Sequence, residues 1–200
     1  MATRDLTSIE RLKSAFKTLP GIGARSAERM AFHVLCESKA DAQSLAAAIL
    51  AVKESIFNCG VCFNLTEQNP CAICADPARD QTELWVVEQP KDLMAIEATS
   101  MVRGVYHVLL GHIAPLDGVE PADLTIDALL QRVKKGGIRE VVMATNPTLE
   151  GDGTALHIQS LLSEMDVVVT RPSRGLAVGS PLEFANSAMI EAAIRGRTPM

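Results

Sequence analysis

The segment ATNPTLEGDGTA, residues 144–155, decides the fold of this 200-residue chain. It directly follows the apolar run Val141–Met143, and a strand that ends in a turn and then opens a helix is the repeating unit of α/β proteins. Loops at the carboxyl ends of such buried strands usually carry phosphate or metal chemistry. Two acids, Glu150 and Asp152, lie in this loop. The segment therefore predicts a parallel sheet and raises the question of whether its loop is catalytic.

Strands and helices alternate on both sides of this segment, from residue 84 to about residue 195. Short apolar runs separated by amphipathic stretches favour an α/β domain with a parallel or mostly parallel sheet. Residues 7–55, in contrast, have helical periodicity and predict three helices. The predicted strands are 84–87, 105–110, 140–144 and 167–170, and the predicted helices are 8–19, 24–36, 41–56, 90–99, 126–135, 154–165 and 184–196, the last ending in a C-cap at Gly196.

Charge is unevenly distributed along the chain. The net charge is −5 at pH 7, which argues against a generally basic nucleic-acid-binding protein. Residues 1–32, however, contain six basic and three acidic residues and so carry +3, which leaves −8 for the remainder. This asymmetry suggests an N-terminal region that meets an anion and a body that does not. A solvated helical surface would produce the same asymmetry.

The sequence lacks the features of a secreted or membrane protein. Its longest stretch without a charged side chain is 104–116, which is thirteen residues long, whereas a helix that spans a bilayer needs ~20. The opening residues MATRDLTSIE contain no apolar segment of the secretory type. We therefore expect a cytoplasmic protein without a membrane partner.

Four cysteines form two C-x-x-C pairs in the segment CGVCFNLTEQNPCAIC, residues 59–74. In a reducing compartment this grouping favours metal over disulfides. Four thiolates fill the tetrahedral coordination shell of Zn²⁺ and leave no position for water, so the expected site is structural, with one zinc ion per chain. Redox activity of the C-x-x-C pairs is the alternative. The predicted ligands are Cys59, Cys62, Cys71 and Cys74.

The segment LPGIGARSAER, residues 19–29, predicts a hairpin between two helices. Gly21 and Gly23 allow backbone N–H groups to point outward at the start of the second helix, where they donate hydrogen bonds to a phosphate. Arg25 and Arg29 then lie on one face of that helix. The pattern resembles the helix-hairpin-helix motif, which binds the DNA backbone without reading its sequence. A plain helix–helix turn with solvated arginines is the alternative. The predicted DNA-binding residues are Gly21, Gly23, Arg25, Arg29, Lys13 and Lys17.

Glu88, at the end of the strand LWVVE, and the segment 144–155 together resemble the Toprim domain. In its catalytic members a glutamate and a later D-x-D motif hold Mg²⁺ for phosphoryl transfer. Asn146 and Thr148 occupy the D-x-D positions here, and Mg²⁺ needs carboxylates close together. We therefore expect no catalytic metal. Three acids, Glu88, Glu150 and Asp152, remain as a candidate site for weakly bound Mg²⁺ or for a partner, with helix capping, by Asp152 in particular, as the alternative.

The order of these three motifs resembles the RecR family of bacterial recombination mediators over nearly the full chain. LPGIGARSAERMAFHVL, CGVCFNLTEQNPCAIC, VVEQPKDLMAIE, GVYHVLLGHIAPLDG and ATNPTLEGDGTALHI carry the resemblance. It implies a non-enzymatic DNA repair protein that assembles as a ring-like homotetramer, acts with RecO and RecF, and helps load RecA at gapped DNA. Two alternatives remain, a Mg²⁺-dependent nuclease or primase-like Toprim enzyme and a zinc-dependent scaffold that binds only proteins.

The resulting fold class is a multidomain α+β or α/β protein with an N-terminal helical region, a small zinc finger, a Toprim-like domain and a C-terminal helix. The predicted divisions are a helix-hairpin-helix DNA-binding region at 1–56, a four-cysteine zinc finger at 57–76, a Toprim-like domain at 80–175 and a C-terminal segment at 176–200.

Overall fold

The structure is a computed structural model that describes residues 7–176, 178–179 and 181–197. The chain divides into two compact units, one ending at Ile56 and the other beginning at Phe57. Among the described residues, no helix combines the length and the apolar character that crossing a bilayer requires. Each unit is described separately below.

In the described part of the N-terminal unit, residues 7–56, the chain forms three helices, α1 (Thr7–Lys17), α2 (Ala24–Cys36) and α3 (Lys39–Ser55). Two alanines of α2, Ala27 and Ala31, are fully buried, and their small side chains allow another backbone to approach closely. Helix α3 contains no buried residue. The three helices match the periodicity of the sequence, although the first ends two residues before the predicted Leu19.

The second unit begins with a small zinc-finger-like knuckle. Strands β1 (Phe57–Asn58) and β2 (Leu65–Thr66) pair antiparallel, and the short helix α4 (Ala72–Ala75) follows them. The remainder forms a four-stranded sheet of β3 (Asp80–Val87), β4 (Gly104–Val108), β5 (Glu140–Met143) and β6 (Val168–Thr170).

The strand order in this sheet is β4-β3-β5-β6, and every pairing is parallel. The predicted parallel sheet is thus confirmed. Three helices provide the crossovers between the described strands, 3₁₀ helices lie in the connections, and a further helix follows β6. These elements are α5 (Pro90–Glu97), α6 (Ile126–Lys134), α7 (Leu149–Leu162), α8 (Ser187–Arg195) and the 3₁₀ helices Pro115–Asp117, Pro121–Asp123 and Leu182–Phe184.

Both faces of the sheet are buried. On one face, α6 and α7 pack onto the apolar side chains of the strands, including Leu84, Val105 and Val141. On the other face, Tyr106 and Val108 pack with α5 and with side chains of the knuckle. Burial on both faces explains why the strands have continuous apolar runs rather than alternating patterns.

The start of α7 differs from the sequence expectation. The helix begins at Leu149 rather than at Thr154, because the Thr148 hydroxyl accepts a hydrogen bond from the Gly151 backbone N–H at 3.1 Å and caps the helix earlier. The predicted C-cap of the last helix at Gly196 is confirmed. Strand β4 ends at Val108 rather than at Leu110, whose φ of 66° is incompatible with a strand.

Candidate functional site

The four cysteines of the knuckle converge on one point. Their Sγ atoms all lie within 4.8 Å of one another, and those of Cys62 and Cys71 are 3.6 Å apart. Tetrahedral zinc with Zn–S bonds of about 2.3 Å requires sulfur–sulfur separations of roughly 3.8 Å. Cys59, Cys62 and Cys71 are at most 3% exposed, whereas Cys74 is half-buried. The site is thus mostly enclosed by protein, as expected of a structural metal centre.

The electrostatics of the cysteines also fit a metal. Burial raises the pKa of Cys59, but backbone N–H donors, that of Cys71 first, outweigh burial and lower this pKa to about 7. The hydrogen bond to Cys74, followed by burial, raises the pKa of Cys62, and burial raises that of Cys71 to about 11. Four adjacent thiols resist ionising together, and a divalent cation supplies the charge that lets them do so.

The hairpin between α1 and α2 presents backbone to solvent. Gly21 has a φ of 79°, which a residue with a side chain adopts only under strain. Gly23 is the N-cap of α2 and provides no side-chain hydrogen bond. Among the described residues, a Cβ atom built at either glycine meets nothing within 4 Å. Within residues 7–56 the first-turn N–H groups of α2 therefore have no side-chain cap at Gly23, and neither glycine is required for packing there.

The basic residues of this unit differ in their pairing. Arg25, Arg29 and Lys17 are exposed, and within residues 7–56 no carboxylate lies within ion-pair distance of them. Lys13 is different, because its ammonium group lies 3.0 Å from a Glu10 carboxylate oxygen and 3.1 Å from one of Glu28. The two arginines and Lys17 are thus the free cations among the predicted DNA-binding residues that the structure describes.

Glu88, the glutamate of the Toprim resemblance, is only 3% exposed and is hydrogen-bonded through both carboxylate oxygens. The Asn146 backbone N–H donates to its Oε1 at 2.7 Å, and the Asn146 side-chain amide donates to its Oε2 at 2.8 Å. The His112 Nδ1 lies 3.1 Å from the same Oε2. The carboxylate is thus occupied in holding the loop that follows β5.

Asn146 and Thr148, which occupy the D-x-D positions of the Toprim resemblance, have structural roles. Asn146 binds Glu88, and Thr148 caps α7. Gly151 lies so close to both segments that a Cβ there would be 2.2 Å from the Asn146 carbonyl oxygen and 2.6 Å from the Glu88 Oε1. Sequence reasoning missed these roles, although a threonine before a helix is itself a capping signal.

Among the described residues, the ligand atoms of the remaining two acids do not converge with those of Glu88. Asp152 forms a two-pronged ion pair with the Arg174 guanidinium, one arm of which is 2.8 Å long, and this guanidinium lowers the pKa of the Asp152 carboxyl. The alternative that Asp152 caps the helix is therefore wrong, because Thr148 does so. Glu150 is exposed. Among the described residues, the four cysteines are the one group whose potential metal-ligand atoms converge.

Comparison with known families matches each of these three parts. A model described as the Toprim domain matches residues 82–172, and one described as the helix-hairpin-helix of RecR matches residues 9–53. A third, described as the four-cysteine zinc finger domain of RecR, matches residues 56–76.

Close relatives cover the chain almost completely. Recombination protein RecR of Rhodopirellula baltica is 50% identical over 190 residues, covering 95% of this chain and 96% of the relative. Recombination protein RecR of Chlorobium chlorochromatii is 45% identical over 196 residues, or 96% of each. The protein of the same name from Chloroflexus aggregans is 48% identical over 189 residues, or 94% of this chain and 92% of the relative.

Fold and site together define a class, that of Toprim-fold proteins with a helix-hairpin-helix and a four-cysteine zinc finger. Identity of this extent over nearly the whole chain makes the assignment more specific. The chain belongs to the RecR family. Its four cysteines accordingly bind one structural Zn²⁺.

Proposed function

We propose that this protein is a DNA-binding mediator of recombination and DNA repair that catalyses no reaction itself. It binds the DNA backbone without sequence preference and acts as an oligomeric clamp, in the tetrameric form that the family resemblance implies. With RecO and RecF it helps to load RecA at gapped DNA. The relatives from R. baltica and C. chlorochromatii are named recombination proteins, which supports this assignment.

The observation that carries the proposal is the uncapped hairpin at the start of α2. Its N-cap is Gly23, without a side-chain hydrogen bond, and Arg25 lies in the first turn of the helix. The helix dipole disfavours a cation at this end, so an anion between the N–H groups and the guanidinium would stabilise both. A DNA phosphate is such an anion. Arg29, one turn further on, extends the same cationic surface.

The acidic edge of the sheet supports a role without catalysis. The Glu88 carboxylate is hydrogen-bonded to Asn146 and His112, and the Asp152 carboxylate forms an ion pair with Arg174. Phosphoryl transfer by Mg²⁺ requires carboxylates that are free to bind the ion. We assign Glu88 to holding the loop after β5, and we keep Glu150 as an exposed acid for a partner or for weakly bound Mg²⁺.

Exposed apolar surface supports an oligomer. Four apolar side chains of α3 are between 46% and 59% exposed, namely Leu45, Ile49, Leu50 and Val52. Near the C-terminus, Leu182, Phe184 and Ile194 are between 59% and 74% exposed. Patches of this kind are typical of subunit interfaces. An oligomer would also present several hairpins to one DNA molecule, which compensates for the few cations in each copy.

The test is a salt titration of binding to duplex DNA by the double variant Arg25→Ala with Arg29→Ala. Each phosphate contact that is lost should flatten the slope of log K against log salt by about 0.9. The matched control is Lys39→Ala with Lys53→Ala, which removes the same charge from α3. We expect weaker binding and a flatter slope for the arginine variant alone. Equal slopes for both double variants would refute the hairpin as the DNA contact.

A further inference from the structure

Arg132, on α6, is a partly buried cation that has no carboxylate partner in the part of the chain that the structure describes. Its guanidinium Nη1 donates to the Tyr106 carbonyl oxygen at 2.6 Å. Over the described ranges 7–176, 178–179 and 181–197, no ion pair includes this residue. Burying a charge without a counter-charge is costly. A second, negatively charged group near Arg132 is therefore to be expected.

The position of Arg132 on the sheet indicates that this negatively charged group is the cysteine cluster. Strand β4 is the outermost strand of the sheet that the described residues form, so one of its edges has no neighbouring strand among them. The Tyr106 carbonyl oxygen on this strand accepts from Arg132, and two residues later the Val108 N–H donates to the Cys62 carbonyl oxygen at 2.8 Å. The arginine and the zinc ligand Cys62 thus bind neighbouring positions of one strand.

The charges acting on Arg132 agree with this position. Burial lowers the pKa of the guanidinium, while the sulfurs of the zinc ligands, when ionised, raise it. The sulfurs that oppose the effect of burial belong to Cys74, Cys62, Cys59 and Cys71. Each of the four cysteines, when ionised, thus favours the charged form of this guanidinium.

The metal centre, in turn, needs a counter-charge. Four thiolates carry more negative charge than one Zn²⁺ neutralises, and three of the cysteines are buried. The backbone N–H groups of Cys71 and Val61 donate to the Cys59 Sγ at 3.3 and 3.5 Å. These dipoles offset only part of the excess charge.

We infer that Arg132 is the counter-charge of the zinc–thiolate centre, supplied by the Toprim-like domain to the zinc finger beside it. The guanidinium favours four ionised ligands and, through Tyr106, lies along the strand edge that also binds the knuckle. Residues outside the ligand set of a metal commonly tune its binding in this way, and their loss typically costs about 10- to 100-fold in metal affinity.

Iron bound in place of zinc provides a readout that depends on charge. When Fe³⁺ held by the four thiolates gains one electron and becomes Fe²⁺, the centre becomes more negative by one unit. A cation nearby favours the reduced form. We therefore expect Arg132→Met and Arg132→Gln to lower the midpoint potential of the iron-loaded full chain, and Arg132→Lys to retain a potential close to that of the original protein.

Cobalt affinity, measured by competition with a chelator, is the second readout. The Met and Gln variants should bind Co²⁺ about tenfold more weakly or worse, and the Lys variant should recover most of this loss. If Arg132→Met does not fold, Lys and Gln make the same comparison, because both retain an N–H donor for Tyr106 and only Lys retains the charge.

Val133→Ala on the same helix is the control for destabilisation, since Val133 is a buried apolar residue. It should reduce stability and leave the midpoint potential unchanged. Potentials of the Met and Gln variants equal to that of the original protein would overturn the inference. So would a Lys variant whose potential falls as far as that of the Met variant.

Discussion

Gly23 is a residue that DNA binding would explain and that folding does not. Its backbone φ of −82° is one that any residue adopts, and the space beside its Cα is open. Gly21, two residues earlier, has a φ of 79° and is needed for the turn itself. Nothing in the N-terminal unit, as far as the structure describes it, explains a glycine at position 23, whereas the close approach of a phosphate to the backbone would explain it.

Gly23→Ala should accordingly leave the fold intact and weaken DNA binding. The added methyl group lies where a phosphate would approach the N–H groups of α2, and losing one charge-assisted hydrogen bond corresponds to about tenfold in affinity. Fluorescence anisotropy with labelled duplex DNA measures the affinity, and circular dichroism checks the fold. Gly153→Ala, which also adds a methyl group in open space, is the control. Unaltered affinity of the Gly23 variant would exclude a phosphate at this position.

At the scale of elements, the zinc finger packs against the edge strand of the sheet and is hydrogen-bonded to it. The knuckle contributes Phe63 and Ile73 to the core on one face of the sheet, and its Cys62 carbonyl accepts from Val108 on the edge strand. The Phe63 ring also packs against the buried His107 ring, with centroids 5.3 Å apart. We therefore expect metal binding and packing of β4 to be coupled.

Removing zinc should destabilise the second unit as a whole. Structural zinc contributes on the order of 10 kcal/mol in zinc-finger peptides, so Cys62→Ser should lose the metal and lower the midpoint of thermal unfolding sharply. Cys36→Ser provides the comparison, because Cys36 is exposed and lies outside the cluster. Zinc content by atomic absorption and unfolding by calorimetry measure both effects. A Cys62 variant that unfolds at the same midpoint temperature as the original protein would contradict this coupling.

Local patterns predicted the elements better than the contacts between them. The two C-x-x-C pairs indicated the metal ligands correctly, because each pair is set by a turn of a few residues. The start of α7 was predicted five residues too late, since Gly151 and Gly153 are weak helix formers and the sequence alone does not reveal that Gly151 packs beneath Glu88.

The hydrogen bonds around Glu88 could not be predicted from the sequence, for a different reason. Its partners His112 and Asn146 are 24 and 58 residues away along the chain, and only the parallel order of the strands brings them together. The charge of Glu88 suggested a metal ligand, whereas its surroundings use both carboxylate oxygens for hydrogen bonds. The pairing of Asp152 with Arg174 is likewise a contact that spacing does not reveal.

On the scale of the whole molecule, the charge and the apolar surface favour several copies acting together. A chain with a net charge of −5 has more anionic than cationic side chains, and affinity for DNA rises with the number of phosphates neutralised. Helix α3 exposes apolar side chains instead of charges along much of its length. We therefore place this helix at an interface between copies in the proposed clamp.

Ile49→Glu should reduce the mass of the oligomer. Ile49 is 58% exposed in the single chain, so a charge there should leave the fold of one copy intact. Burying that charge costs free energy only where a second copy covers it. Light scattering coupled to size exclusion measures the mass. Lys53→Glu, at an exposed position of the same helix, is the control. An unchanged mass for the Ile49 variant would remove α3 from the interface.

Above all, we propose that the protein binds DNA and leaves it chemically unchanged. Incubation of labelled gapped duplex with saturating protein, nucleotides and Mg²⁺ or Mn²⁺ tests this most directly, because binding and turnover are read from the same sample. We predict a retarded complex that contains only intact, unextended strands. Cleavage or synthesis over many turnovers, abolished by Glu88→Gln, would contradict it.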